Sequence, residues 1–434
     1  MKHKWMLTLA SVSAVSALPM VAVACGQENK YTHPKAPVES VTDIKLDAKY
    51  NLTDEAKASV KKIVMINDGG DINDKSFNQS AWEGLLTFAN VQNKLPYDKY
   101  DVLEVKDEAY AQAYTAALNA GYNVWIVPGF LHSQHIGEFL KKPENLAKAK
   151  QLGIKMIGAD YSLDLQGHGV FQNFKTKEAA FAAGYAAAAF LSNETNAADR
   201  TFASFGGGAF AGVTDFNEGF MKGVYHWNKK QTDENKKVHS TLATVNLGAG
   251  FDTAKPAMQS VIDSVMATNP KLILPVAGAA TYQVMKASNY AGKYVIGVDT
   301  DQAFAAPSGK ETFFTSILKN LGQSTYDAVS FLATTEITDA NKATLGTAEA
   351  NGDYNKDGGF AEKWVDISVT HIEEATKKAL ATKAIEDGKA AFLALSAEEK
   401  EWLYSGKAAI GGEEIADLQT RMNTLAEMLT KKNS

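Results

Sequence analysis

The chain has 434 residues, 45% of them hydrophobic and 22% charged, with a formal net charge of -6. That length suffices for two packed lobes with additions, and the composition is that of a globular protein. The acidic balance excludes a basic nucleic-acid surface covering the molecule, and a single cysteine excludes structural disulfides.

Met1-Lys2-His3-Lys4 is a basic head, Trp5 to Ala24 is apolar, and Cys25 follows. This order predicts a secretory signal over residues 1–24. Ala22-Val23-Ala24-Cys25 resembles a bacterial lipobox, with Ala22 where Leu or Val is usual. Cleavage before Cys25 and its lipidation would hold the protein on the extracytoplasmic face of the cell membrane. The alternative is an uncleaved anchor helix. No later stretch approaches the ~20 continuous apolar residues that a spanning helix needs. Residues 25–60 are polar and contain Pro34 and Pro37. They read as a tether, with one short helix near Thr53–Lys61.

From Lys62 onward short apolar runs alternate with longer helical patterns. Strands are predicted at Lys62–Ile66, Tyr100–Val105, Val124–Val127, Lys155–Gly158, Val170–Asn173, Thr201–Phe205, Lys237–Thr244, Leu272–Pro275, Tyr294–Val298 and Phe313–Ile317. Helices are predicted at Gln79–Ala89, Ala109–Ala120, Lys177–Leu191, Val213–Asn228, Ala254–Ala267 and Gln323–Thr334. Such alternation signals parallel sheets covered by helices. About ten strands are many for one open sheet, which favours two α/β lobes. Residues 373–434 are rich in Ala, Glu, Lys and Leu and read as a helical tail, broken at Ser405-Gly406 and Gly411-Gly412.

Four stretches have to be weighed for chemistry. Asp68-Gly69-Gly70-Asp71-Ile72-Asn73-Asp74 looks superficially like the clustered acids of a calcium-dependent nucleoside hydrolase, but Lys75 follows and no His-bearing partner motif appears later. Phe205-Gly206-Gly207-Gly208-Ala209-Phe210-Ala211-Gly212-Val213-Thr214 has a phosphate loop's glycines but Val213 where its Lys must stand. Its glycines fit a turn in which backbone approaches a ligand or the other lobe. Asp353, Asn355 and Asp357 match the first half of an EF-hand loop, but Trp364 occupies the position of its bidentate Glu, so a solvated turn is favoured and these residues are only a weak metal candidate. No nucleophile elbow accompanies the histidines, so neither an enzyme nor a cofactor is expected.

One ordered series of motifs remains. Asp68 with Asp74-Lys75-Ser76-Phe77-Asn78-Gln79-Ser80-Ala81-Trp82-Glu83-Gly84 resembles the signature of the basic membrane protein family, lipoproteins similar to the bacterial purine nucleoside receptor that serve ABC transporters. Ile157-Gly158-Ala159-Asp160 falls where that family has an apolar strand ending in Asp. Phe174–Tyr185 resembles its Ala- and Gly-rich helix, with Lys175 replacing Arg. Phe205–Gly208, Val213–Gly223, Tyr294–Gln302 and Thr315–Lys319 complete a resemblance over roughly residues 61–370.

The resemblance implies an α/β type I periplasmic-binding-protein fold: two Rossmann-like lobes joined by three crossovers, here with an added C-terminal helical tail. The expected division is lobe 1 over 61–168 and 300–335, lobe 2 over 169–299 and 336–372, and the tail over 373–434. Hinges are expected near Asp160–Val170 and Asp299–Pro307. The implied ligand is a nucleoside in the interlobe cleft. Phe77 and Phe251 would stack on the base, with Phe210 beside them. Asp68 and Asp160 would face the base, Asp299 the ribose, and Lys319 would donate to a ribose oxygen and offset Asp299. Asn78 and Gly278 would also line the site, whereas Asp74 and Lys75 read as surface turn residues. Ordinary core packing for the aromatics and helix capping for Asp68 and Asp160 are the plainer readings. Ala277-Gly278-Ala279-Ala280 departs from the family's Gly-Gly-Thr-Gly and changes a pocket wall. The implied partners are the nucleoside, an ABC permease and the membrane through lipid on Cys25, with the protein a monomer. The competing reading is a surface lipoprotein with a vestigial cleft, adhering to a partner through its tail.

Overall fold

Ile63-Val64-Met65-Ile66 is buried at every position, as a strand covered on both faces must be. The computed structural model that contains it describes residue 32 and residues 35–106 and 108–430, so the signal and Cys25 lie outside the described residues. Among the described residues the main elements run α1 (Asp54–Ser59), β1 (Ile63–Ile66), α2 (Phe77–Leu86), β2 (Tyr100–Leu103), α3 (Tyr110–Asn119) and β3 (Val124–Pro128). The chain continues through α4 (Leu131–Leu140), α5 (Pro143–Leu152), β4 (Lys155–Ala159), β5 (Gly169–Phe174), α6 (Thr176–Leu191), β6 (Thr201–Gly206), α7 (Ala211–Lys229) and β7 (His239–Ser240). Next come α8 (Pro256–Ala267), β8 (Leu272–Val276), α9 (Ala280–Met285), β9 (Tyr294–Asp299), β10 (Phe313–Lys319) and α10 (Leu321–Thr334). The last elements are β11 (Thr347–Ala348), β12 (Tyr354–Gly358), β13 (Val365–Ile367), α11 (Ala375–Leu393), α12 (Ala397–Tyr404) and α13 (Leu418–Leu429).

The strands form two sheets, ordered β11-β12-β5-β4-β3-β1-β2 and β13-β10-β9-β8-β6-β7. All pairs are parallel except the edge pairs β11–β12 and β10–β13. The chain passes between the lobes three times: from β5 to α6, from β10 to α10, and from β12 to β13. This is the expected two-lobed fold, but the strands are shared out differently. β5 belongs to the first sheet and β10 to the second, the reverse of the expected division, and β12 returns to the first sheet beside β5. The crossings therefore lie at Phe174–Thr176, Lys319–Leu321 and Gly358–Val365, away from the expected hinges.

Three other expectations change. The predicted strand Lys237–Thr244 shrinks to β7, and the chain beyond it turns toward the tail: the Val245 amide donates to Asn423 Oδ1, and Gln419 Nε2 donates to the Val245 carbonyl. The Asp353–Asp357 turn is largely strand β12, and Asp353 accepts the Gly169 and Leu165 amides at 2.6 and 2.8 Å. Its carboxylate is committed to the β4–β5 loop. Finally, the expected tether is folded from Lys35 onward. The buried carboxylate of Glu83 on α2 accepts from Ser40 Oγ at 2.7 Å and the amides of Val41 and Thr42 at 2.9 and 3.1 Å. Ile44, Tyr50 and Val60 are buried in the same face.

The tail is equally integrated. A Cβ on Gly184 would stand 1.9 Å from the Phe220 carbonyl oxygen, and one on Gly388 2.3 Å from the Ala182 oxygen. Small residues thus let α6, α7 and α11 meet backbone to backbone. Beneath α12 and α13, fully buried Glu218 receives Lys177 at 2.9 Å, Lys222 at 2.6 Å and Arg421 at 3.1 Å. Lys222 Nζ also donates to the carbonyls of Trp402, Leu403 and Ser405 at the end of α12. Opening a buried ion pair costs about 3–5 kcal/mol, a large share of a typical domain's stability. Ending the chain after Glu373 should therefore yield aggregated protein, measured as lost soluble yield and the absence of a cooperative thermal transition.

Candidate ligand-binding cleft

Ligands of open α/β sheets sit beyond the carboxyl ends of the strands. Three acids are placed there: Asp68 just past β1, Asp160 immediately after β4, and Asp299 as the last residue of β9. Asp160 and Asp299 have φ of +64° and +65°, a left-handed conformation that costs a non-glycine residue on the order of 1–3 kcal/mol. Such strain concentrates at functional sites, where the surrounding structure holds it.

Lys319, the last residue of β10, is 1% exposed. Its ammonium lies 2.7 Å from Asp160 Oδ2 and 4.0 Å from Asp299 Oδ1. The closer partner is thus Asp160, across the cleft, and not the expected Asp299. Burial alone would lower the lysine pKa, but the two carboxylates outweigh it and hold it above the ordinary value. The ammonium also stands 5.4 Å from the Phe77 ring centroid and 5.0 Å from that of Phe216, within cation–π range. Burial pushes the Asp299 carboxyl up, against the pull of Lys319 and of Ser76, whose hydroxyl donates to Oδ2 at 2.6 Å.

Asp68 accepts from the Tyr110 hydroxyl at 3.2 Å. Burial pushes its carboxyl up to about 8, opposed by the Leu131 amide and Tyr110. Gly129 provides the room: a Cβ there would lie 2.0 Å from Asp68 Oδ2. Asn78 lines the cavity, but its amide is engaged within the loop, accepting from the Asp68 amide and donating to Gly69 O and Asp74 Oδ2. Asp74 is not a surface turn residue. It caps α2 by accepting the Ser76, Asn78 and Gln79 amides and also lines the cavity. Burial pushes its carboxyl up to about 6.

The aromatic wall explains the glycine run. A Cβ on Gly207 would meet the Phe251 ring at 2.5 Å, and one on Gly208 the Phe210 ring at 2.4 Å. The Gly206 and Gly207 amides donate to Asn246 O and Val276 O. They hold the loop and are not directed to a phosphate. Phe130, which sequence reasoning missed, stacks on Phe210 across the lobes at 4.9 Å and 13°, and Phe251 lies 6.1 Å beyond. Pro128-Gly129-Phe130 at the end of a strand was the available signal. Asp68, Phe77, Asn78, Asp160, Phe210, Phe251, Gly278 and Asp299 all line this one cavity, with Lys319 behind the Asp160–Asp299 wall. The space it encloses between the lobes is about 70 Å³, below the ~300–1,000 Å³ of typical ligand pockets.

The family model described as "Bmp: ABC transporter substrate-binding protein PnrA-like" matches residues 61–351. The chain belongs to this Bmp family. That family description is of substrate-binding proteins and not of enzymes. A protein of Lactococcus lactis named ABC transporter nucleoside-binding protein BmpA is 25% identical over 333 residues, covering 73% of this chain and 85% of its own. A Listeria innocua protein named CD4+ T-cell-stimulating antigen is 29% identical over 252 residues, covering 55% of this chain. The match spans 63% of that Listeria protein's length. The fold resembles that of an ABC transporter solute-binding protein from Aeropyrum pernix K1, with a TM-score of 0.52 at 17% identity over 79% of this chain and 89% of that one.

Proposed function

We propose that the protein is a membrane-anchored receptor that binds a nucleoside, with a purine base, in the interlobe cleft and presents it to an ABC permease. The observation that carries this reading is a single cavity combining aromatic faces from both lobes with carboxylates paired to one buried ammonium. Aromatic rings bind a flat base by offset stacking, worth ~0.5–1.5 kcal/mol per pair beyond area. Carboxylates accept charge-assisted hydrogen bonds from hydroxyls and ring N–H groups, and the buried ammonium holds two of the carboxylates in place. Asp68 is assigned to the base and Asp299, with Lys319 and Asp160 beside it, to the ribose. Mass spectrometry of small molecules retained by the purified protein tests this. Recovery of an intact nucleoside near one per chain is expected. Recovery of free base and ribose after incubation would support a hydrolase instead.

The raised Asp68 pKa gives a pH signature. Below about 8 the empty site holds a proton on Asp68. A base N–H that donates to the carboxylate must displace that proton, so affinity falls as pH drops. The loss should approach tenfold per unit between pH 8 and 6, and Asp68→Asn should flatten the profile. Titration calorimetry across that range checks both. The membrane anchor is tested separately. Cys25→Ser should move the protein from the membrane fraction to the soluble one or leave an uncleaved precursor, read by fractionation and intact mass.

A further inference from the structure

The N-terminal segment lies outside the residues matched to the family, yet it touches both lobes beside the cleft. It is fixed to the first lobe. Glu83 holds residues 40–42, the Lys45 amide donates to Gln323 Oε1 at 2.7 Å, and the Asp47 amide donates to the Tyr326 hydroxyl at 2.8 Å. From this mounting Val41 packs against the apolar cluster of the second lobe that contains Tyr282, Ala303 and Ala305. Next to it, Glu39 lies 3.2 Å from Lys75 Nζ. Lys75, two residues before α2 in the first lobe, donates to the Ala305 carbonyl of the second at 2.7 Å and stands 5.7 Å from the Tyr282 ring. The Lys75 carbonyl accepts from Thr300 Oγ1 of the second lobe at 3.1 Å.

We propose that residues 39–42 form a closure latch, mounted on the first lobe through Glu83 and engaging the second through Val41 and the Glu39–Lys75–Ala305 bridge. These second-lobe contacts exist only while the cleft is closed, so they add to the stability of that state alone. A ligand that needs the closed cleft binds with an apparent affinity reduced by the fraction of molecules not closed. The latch therefore tightens ligand binding without touching ligand.

The latch rests on the cleft being one that opens and closes, and not on the ligand being a nucleoside. The test keeps the two apart. In the full chain carrying Cys25→Ser, spin labels on Lys150→Cys of the first lobe and Gln259→Cys of the second report the interlobe distance without ligand. Val41→Ser should lower the closed-to-open ratio roughly five- to tenfold, the effect of losing a partly buried valine contact. Glu39→Gln should lower it less, because its ion pair is solvent-exposed. Val38→Ser, at a site 84% exposed, should leave it unchanged. Adenosine and guanosine titrations should show the same order of weakening. If neither nucleoside binds, the nucleoside reading fails while the ligand-free distances still decide the latch. A closed population in Val41→Ser equal to that of the unsubstituted chain, at equal melting temperature, would overturn the proposal.

Discussion

Lys319→Met is expected to lower ligand affinity at least about a hundredfold and to lower the melting temperature at pH 7.5. The ammonium is almost fully buried and stands between Asp160 and Asp299. Removing one partner of a buried ion pair costs about 3–5 kcal/mol because the remaining charge is left uncompensated. Here two carboxylates would face each other across the cleft. Burial already raises the Asp299 pKa with Lys319 present, and loss of the cation raises it further. An acid with a raised folded-state pKa makes the protein less stable as pH rises and restores stability as pH falls. The variant's deficit should therefore shrink between pH 7.5 and 5, as read by thermal melts. A deficit independent of pH would mean that the loss is one of packing and not of charge.

Phe77→Ala should cost about 2–4 kcal/mol of binding, the range for a buried aromatic anchor, while the chain stays folded. Phe77 lies at the first turn of α2, lines the cavity and is only partly buried, so its removal leaves the core intact. Asp299→Ala should weaken nucleosides much more than free bases, because its assigned partner is the ribose. Calorimetric titration with adenosine, guanosine, inosine, uridine and adenine measures both. Equal losses for adenine and adenosine in Asp299→Ala would reassign Asp299 away from the sugar. An unfolded Phe77→Ala, with Asp299→Ala binding as before, would place both residues outside the site.

The strands ending in Asp160 and Asp299 were legible because a short apolar run closed by an acid is what a buried parallel strand reaching the sheet's carboxyl edge looks like. The motif from Asp74 to Gly84 likewise pointed to Phe77. The partners of these residues were less visible. That Lys319 sits closer to Asp160 than to Asp299 follows from how β10 and β4 approach across two sheets, a relation without local trace. β12 has the composition of a turn, because Asp, Asn and Gly dominate it, and tertiary pairing with β5 overrides that preference. The tail read as an appendage because α11 is Ala-rich and carries many charges. Its burial depends on small residues in α6 that only make sense once the two helices are in contact.

The ordered N-terminal segment also bears on how far the receptor ranges. Thr32 is already held, its amide donating to Asn90 Oδ1 and its carbonyl accepting from the Tyr97 hydroxyl. Cys25 is seven residues earlier. At about 3.3–3.6 Å per extended residue, a lipid on Cys25 leaves a leash of no more than about 25 Å. A free run of the same chain to residue 60 would reach several times farther. With the proposed lipid in place, the first lobe would be held near the membrane surface. If Cys25 carries the proposed lipid, the protein would sample a small volume above one patch of membrane, which would raise its effective concentration at a transporter lying in that patch. Delivery in the proposed role would then depend on lateral encounter in the bilayer, and not on a long-range search through the space outside the cell.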